Sequence, residues 1–202
     1  MDNINAIIAR IKELEAELSR ELQRKEEELF YKVRGRRVQF ASEVKSQHRR
    51  LVVKVHRYLL DASLASLLAA PIIWSCLMPL IFLDLVVSVY HGVCFPIYGI
   101  PRVRRSDYVV IDRYALAYLN VIEKINCVYC GYANGLIAYV REIAARTEQY
   151  WCPIRHARRV AGIHSRYSKF VEYGDAKRYR EMVETIRRDF RSCEGEEESC
   201  SR

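Results

Sequence analysis

Between Asp61 and Arg102 the chain carries one charge, Asp84, in the run ASLASLLAAPIIWSCLMPLIFLDLVVSVYHGVCFPIYGIP. Uncharged stretches of this length are characteristic of segments that live in a lipid bilayer. Both flanks are densely basic: Arg49, Arg50, Lys54 and Arg57 precede the run, and Arg102, Arg104, Arg105 and Arg113 follow it. As one continuous helix the 62–101 stretch would measure about 60 Å, twice the roughly 30 Å hydrocarbon core. Two arrangements accommodate the excess. One is a single span near Leu64 to Val89 followed by an interfacial stretch. The other is a hairpin that turns near Asp84 and returns through Leu85 to Pro101. Positive charge on both sides favours the hairpin, with both ends in the cytoplasm and Asp84 at the far interface. His91–Gly92, Pro96, Gly99 and Pro101 make the second leg a poor helix.

A membrane segment takes up about a fifth of the 202 residues, which leaves room for helices docked on one another rather than a large enzyme domain. Net charge is +8 with a pI near 9.2. Beside an apolar segment this balance points to anionic lipid headgroups. No nucleic-acid module is visible, and no nucleic-acid partner is expected. The residues after Met1 lack the apolar region and cleavage site of a signal peptide, so the apolar run is expected to be a retained anchor.

Five regions follow. Residues 1–35 are expected to hold a coiled-coil-like helix over 3–34, with Ile4, Ile7, Ile11, Leu14 and Leu18 spaced by threes and fours and Gly35 as its stop. Such a stripe serves either packing within the chain or a homo-oligomer formed through residues 3–34. Residues 36–61 are expected to form a basic interfacial helix whose arginines and lysines snorkel towards phosphate. The membrane segment occupies 62–101. Residues 102–173 form a Cys/His-containing helical module: a helix from about Asp107 to Asn126, a break at CVYCGYANG, a helix over about Leu136–Tyr150, and a helical segment from Pro153 to Tyr173. Residues 174–202 carry a charged helix, Ala176 to about Phe190, and an acidic tail expected to be disordered. The fold class is all-α.

The chain has seven cysteines; their odd number and the CxxC spacing argue against a secreted disulfide framework. Cys127-x2-Cys130 and Cys152-x3-His156 supply the ligand types of a tetrahedral site for zinc or iron. The expected helix between the pairs, about 22 Å long, would hold them apart. Either it is broken, or the halves serve different sites, or two chains share one. Cys127 and Cys130 could instead be a redox pair, although the usual strand and helix N-terminus are missing around them. The plainest alternative is two cysteines packed as small apolar residues in a helix–turn–helix corner. Glu148, Cys152 and His156 would share a face of a continuous helix, and Glu148 could equally pair with Arg155. His91 beside Cys94 is a candidate ligand or part of an aromatic belt with Tyr90 and Tyr98. Asn120, Glu123 and Asn126 form a polar or solvated helix side.

The runs IYGIPRVRRSDYVVIDR, LAYLNVIEKINCVYCGYANG and REIAARTEQYWCPIRHARR resemble a group of uncharacterised bacterial membrane proteins that share NCxYCxYxNG and RTExxWCPIxHA. The likeness covers about the middle third of the chain. It implies a bacterial inner-membrane protein with its soluble parts in the cytoplasm, and it implies no activity. The function expected from the residues is a membrane-anchored structural or interaction protein. A metal-binding module on Cys127, Cys130, Cys152 and His156 and a thiol-dependent redox enzyme are the alternatives.

Overall fold

The computed structural model describes residues 2–28, 31–34, 37–40 and 42–190. In chain order these form α1 (Asp2–Glu28), β1 (Tyr31–Arg34), β2 (Arg37–Phe40), α2 (Ser42–Arg50), α3 (Val55–Asp61), α4 (Leu64–Ser75), α5 (Leu77–Tyr98), α6 (Val121–Trp151) and α7 (Ala176–Arg188), with three short 3-10 turns. The chain is predominantly helical, as expected. It divides into two compact units, Met1–Ser63 with Ile111–Val128 and Leu64–Val110 with Tyr129–Arg202.

In the first unit the expected 3–34 helix stops early, because α1 ends at Glu28. Tyr31, Val33, Val38 and Phe40 alternate with charged or polar residues, the period of a strand. β1 and β2 pair antiparallel in the register Tyr31↔Phe40 to Arg34↔Arg37. Gly35, the tail from Arg191 onward and the side chains of Ile4, Ile7 and Ile11 lie outside the described residues. The single basic helix expected over 36–61 is two short helices, α2 and α3. Between them Leu51-Val52-Val53 gives no helical turn, and Lys54 is extended at φ −61°, ψ 138°. Branching at Cβ restricts these valines and favours extended backbone. The His48 ring stands edge-on to Phe40 and to Tyr118, with centroids 5.5 and 5.3 Å away.

The helix expected from Asp107 starts only at Val121. Asn120 sets that start with a reciprocal capping box: its Oδ1 accepts the Glu123 N–H at 3.0 Å, and its own N–H reaches Glu123 Oε2 at 2.8 Å. Asn120 and Glu123 are therefore helix-start residues rather than a polar site.

In the second unit α4 and α5 follow one another almost without interruption, and Cys76 between them keeps helical angles. Pro79 has no N–H to give the Ser75 carbonyl, which accounts for the break at Ser75–Cys76. α5 then runs unbroken through Asp84, His91–Gly92 and Pro96, so the expected turn at Asp84 is absent. The helix ends at Gly99, whose φ of +68° lets the Ile100 N–H close back on Phe95 O at 2.9 Å.

α5 and α6 run side by side in the same direction. Their contacts advance together: Tyr132 Oη to Asp84 Oδ2 at 2.9 Å, Tyr139 Oη to His91 Nδ1 at 3.2 Å, and Tyr98 against Tyr150 with ring centroids 5.3 Å apart. The segment 99–110 retraces this path as a strap. Val103 N–H donates to His91 Nε2 at 2.9 Å, Arg105 meets Asp84, and Tyr108 to Val110 cross α6. Phe95, Ile100, Val103, Leu136, Tyr139, Ile143 and Phe190 are the buried core between them.

Gly131 and Gly135 explain why CVYCGYANG does not break α6. A Cβ on Gly135 would stand 2.7 Å from Tyr108 O and 2.8 Å from Val109 Cα, and one on Gly131 would stand 3.2 Å from Val110 O. These glycines admit the strap's backbone rather than end the helix. Gly135→Ala is expected to lower the melting temperature in detergent, by a loss on the order of 1–3 kcal/mol, since backbone must move. Gly92→Ala, with nothing within 4 Å of its Cβ, is expected to raise it slightly, by up to about 1 kcal/mol. Equal melting of both variants would mean that the strap does not lie on α6.

Candidate functional site

The four candidate metal ligands are not gathered into one site. Cys127 and Cys130 lie within α6, away from its N-terminus, and both are free thiols. α6 continues unbroken to Trp151, so Cys130 and Cys152 are about 33 Å apart along the helix axis. Among the described residues no group of three or more His, Cys, Asp and Glu side chains is placed to hold a metal ion. The Cys152 thiol is pushed up from its ordinary range by burial and then by the Glu148 carboxylate, which disfavours the thiolate that a ligand or nucleophile needs. Nor does the mid-helix position of Cys127 and Cys130 supply the helix N-terminus that activates a redox pair.

The helical segment expected beyond Pro153 is an irregular loop, so Glu148, Cys152 and His156 do not share a helix face. Ile154 and Val171 form a parallel bridge at its base, with Arg155 N–H to Val171 O at 2.8 Å and Val171 N–H to Pro153 O at 2.9 Å. Glu148 meets His164 instead of Arg155, with Oε2 to Nε2 at 2.9 Å. Arg155 pairs with Glu172 and donates to Ser168 O at 2.8 Å. At the far side of the loop Arg141 Nη2 donates to Gly162 O and to Ile163 O, the latter at 2.8 Å. Gly162 takes φ +71°, which favours glycine. The His156 N–H donates to Tyr167 Oη at 2.8 Å, and the two rings stack at an interplanar angle of 17°.

His91 is a packing residue, not a ligand. Its Nε2 accepts the Val103 N–H, which leaves Nδ1 to carry the proton towards Tyr139 Oη. The Tyr139 phenol is pushed up chiefly by burial, as is Tyr132, where the Asp84 carboxylate adds to the effect. Neither is a ready acid at neutral pH.

A polar network on the last turns of α6 was not foreseen from the sequence. Arg166, 1% exposed, donates through Nε and Nη2 to Glu142 Oε1 at 3.2 Å and through Nη1 to Gln149 Oε1 at 3.0 Å. Arg146 donates to the same Glu142 oxygen at 2.8 Å and to Pro101 O at 2.8 Å. Gln149 Nε2 reaches Ile186 O at 2.8 Å and Asp189 O at 2.9 Å, satisfying carbonyls at the end of α7. One carboxylate thus holds two buried guanidinium groups, and through Arg146, Arg166 and Gln149 the network joins α6, the strap, the loop and α7. The sequence signal is Glu142 four residues before Arg146, the spacing of a pair on one helix face.

Above this network the loop leaves an open cleft of about 760 Å³, lined by Arg155, His156, Arg158, Arg159, Tyr167 and Glu172 among others. Its lining mixes the guanidinium groups of Arg155, Arg158 and Arg159 with the rings of His156 and Tyr167 and with aliphatic Val160 and Ile163. The HARR run after Pro153 was the cue to it.

Glu142→Gln would leave Arg166, 1% exposed, buried without its carboxylate and would loosen the hold on Arg146, and is expected to cost about 3–5 kcal/mol. Glu172→Gln removes an exposed pair and is expected to cost under about 1 kcal/mol. Thermal melting of the two variants checks this, and similar losses would mean that Glu142 does not bear the network. No protein-family model, curated protein or solved structure matches the chain.

Proposed function

We propose that the chain is a membrane-anchored structural or interaction protein. It presents the helical module of residues 102–173, with α7, at the cytoplasmic face of a bacterial inner membrane. One observation carries this: the apolar stretch of α4 and α5 is lipid-like at one end and module core at the other. Leu64–Tyr98 is long and apolar enough to cross a membrane, with mean hydropathy 2.3 over its best window and none of that window buried. Leu64 to Leu83 is uncharged over 20 residues, about 30 Å of helix. Ile72 and Phe82 in this part are 71% and 67% exposed, whereas His91 and Phe95 further along are buried. Asp84 closes the uncharged part, held by Arg105, Tyr132 and Ser88. Arg102, Arg104 and Arg105 follow the helix as Arg49, Arg50, Lys54 and Arg57 precede it, and the cytoplasmic face is proposed from these basic flanks.

The reading predicts that the chain stays in the membrane fraction through alkaline carbonate extraction. Ile72→Lys should release much of it, since lysine at the centre of a span costs about 2.5–3.5 kcal/mol. An impermeant maleimide should modify Cys152 only after cells are permeabilised. A wild-type chain recovered soluble without detergent would overturn the anchor, and labelling of Cys152 in intact cells would overturn the cytoplasmic face.

Partnering with a second copy is the interaction best supported. Leu14, Leu18 and Leu22 on α1 are spaced one turn apart and are 55%, 59% and 57% exposed. Leu18→Lys is expected to lower the sedimenting mass of the detergent-solubilised chain. A wild type already monomeric would remove self-association.

A further inference from the structure

We infer that the cleft between Arg155 and Gly162 is a binding site for a phosphate group. Four observations converge on it. Its cationic lining outweighs its acid: Arg155, Arg158, Arg159 and His156 stand against Glu172 alone, and Glu172 is already paired with Arg155. Arg158 and Arg159 are exposed and have no acidic partner among the described residues. Arg155 already uses its Nη atoms on Glu172 and Ser168, so Arg158 and Arg159 are the cations of the lining left for a ligand. Finally, the loop is held in shape by contacts outside the cleft: the Ile154–Val171 bridge, the Arg141 bonds to Gly162 and Ile163, and the Glu148–His164 pair.

Guanidinium groups match phosphate oxygens in a planar fork, and two unpaired arginines beside an imidazole suit a multiply charged oxyanion better than a carboxylate. The His156 N–H bond to Tyr167 Oη holds the backbone from which the imidazole projects. A fixed loop loses little freedom on binding, so its cations act with less ordering cost. The cleft holds about 760 Å³, ample for a phosphate together with the small alcohol that it esterifies. The phosphate comes either from a soluble phosphate compound or from a phospholipid headgroup. The site does not depend on the anchor proposed above, because every residue invoked lies between Arg141 and Glu172.

The test uses the full chain in detergent micelles, titrated calorimetrically with inorganic phosphate and, separately, with a short-chain phosphatidylglycerol. The expected result is saturable binding of at least one of them. Binding of phosphate marks a soluble ligand, and binding of the lipid alone marks a headgroup. The double variant Arg158→Gln/Arg159→Gln should weaken whichever binds at least tenfold while melting like wild type, since neither arginine holds the fold. Arg180→Gln, which removes a surface charge from α7, should leave binding unchanged. Should the double variant melt early, Arg158→Lys/Arg159→Lys replaces it, with partial loss of affinity expected. Absence of binding to both probes, or equal weakening by Arg180→Gln and the double variant, would overturn the site. Carbonate extraction reports on the anchor and is unaffected by either result.

Discussion

The carboxylate of Asp84 organises the second unit. It is the one charge in a forty-residue apolar stretch, and an uncompensated charge in such surroundings costs several kcal/mol. Its partners come from far along the chain: Arg105 is 21 residues on and Tyr132 is 48 residues on. Ser88, one turn away, adds a bond at 3.2 Å. Satisfying one side chain on α5 therefore fixes both the strap and α6 against it. The charge that breaks the apolar pattern is what ties the apolar helix to the rest of its unit.

That arrangement needs room for three segments of backbone where side chains would ordinarily hold helices 8–10 Å apart. Gly131 and Gly135 create the room, four residues apart on one face of α6. Small residues at this spacing allow close backbone approach, and the visitor here is an irregular strap rather than a second helix. The strap pays for its lack of regular hydrogen bonds with side-chain partners: His91 takes the Val103 N–H, and Arg146 takes the Pro101 carbonyl. This is the accounting that buried backbone demands.

The membrane-like segment and the helical class were legible because twenty uncharged residues and 3.6-residue periodicity are strong signals. The charged helix near Ala176 was legible for the same reason, with Asp175 accepting the Arg178 N–H at 3.0 Å as its cap. The errors share a cause: residues with two uses were assigned their local one. Gly131 and Gly135 are helix breakers in isolation, but tertiary contact made them close-approach positions. Asn120 and Glu123 lie on one helix face by spacing, yet their hydrogen bonds form a start. The Cys/His set satisfies a spacing rule, and the helix expected to separate its halves is present and longer than expected, running unbroken to Trp151. Cys152 and His156 fit one helical turn only if Pro153 were helical, and instead the chain turns at Ile154, whose N–H bonds to Cys152 O at 2.7 Å. The network of Glu142 with Arg146 and Arg166 was invisible because Arg166 lies 24 residues away in a loop with no regular period.

That network also explains how a loop of irregular backbone can offer fixed cations. Arg166 is buried, and its bonds to Glu142 and Gln149 seat the loop on α6 in one register. Lys169 extends the seat by donating at 2.9 Å to Asp189 O, the carbonyl that Gln149 also holds. With this side tied to α6 and the end of α7, the opposite side carrying Arg158 and Arg159 is free of structural duty. Buried ion pairs are poor sources of stability compared with apolar packing, and their best-supported use is to specify one arrangement among several. Here the arrangement specified is a pinned loop whose unpaired arginines face solvent. The division of labour is by burial: Arg146 and Arg166 hold the structure, and Arg158 and Arg159 remain available for a partner.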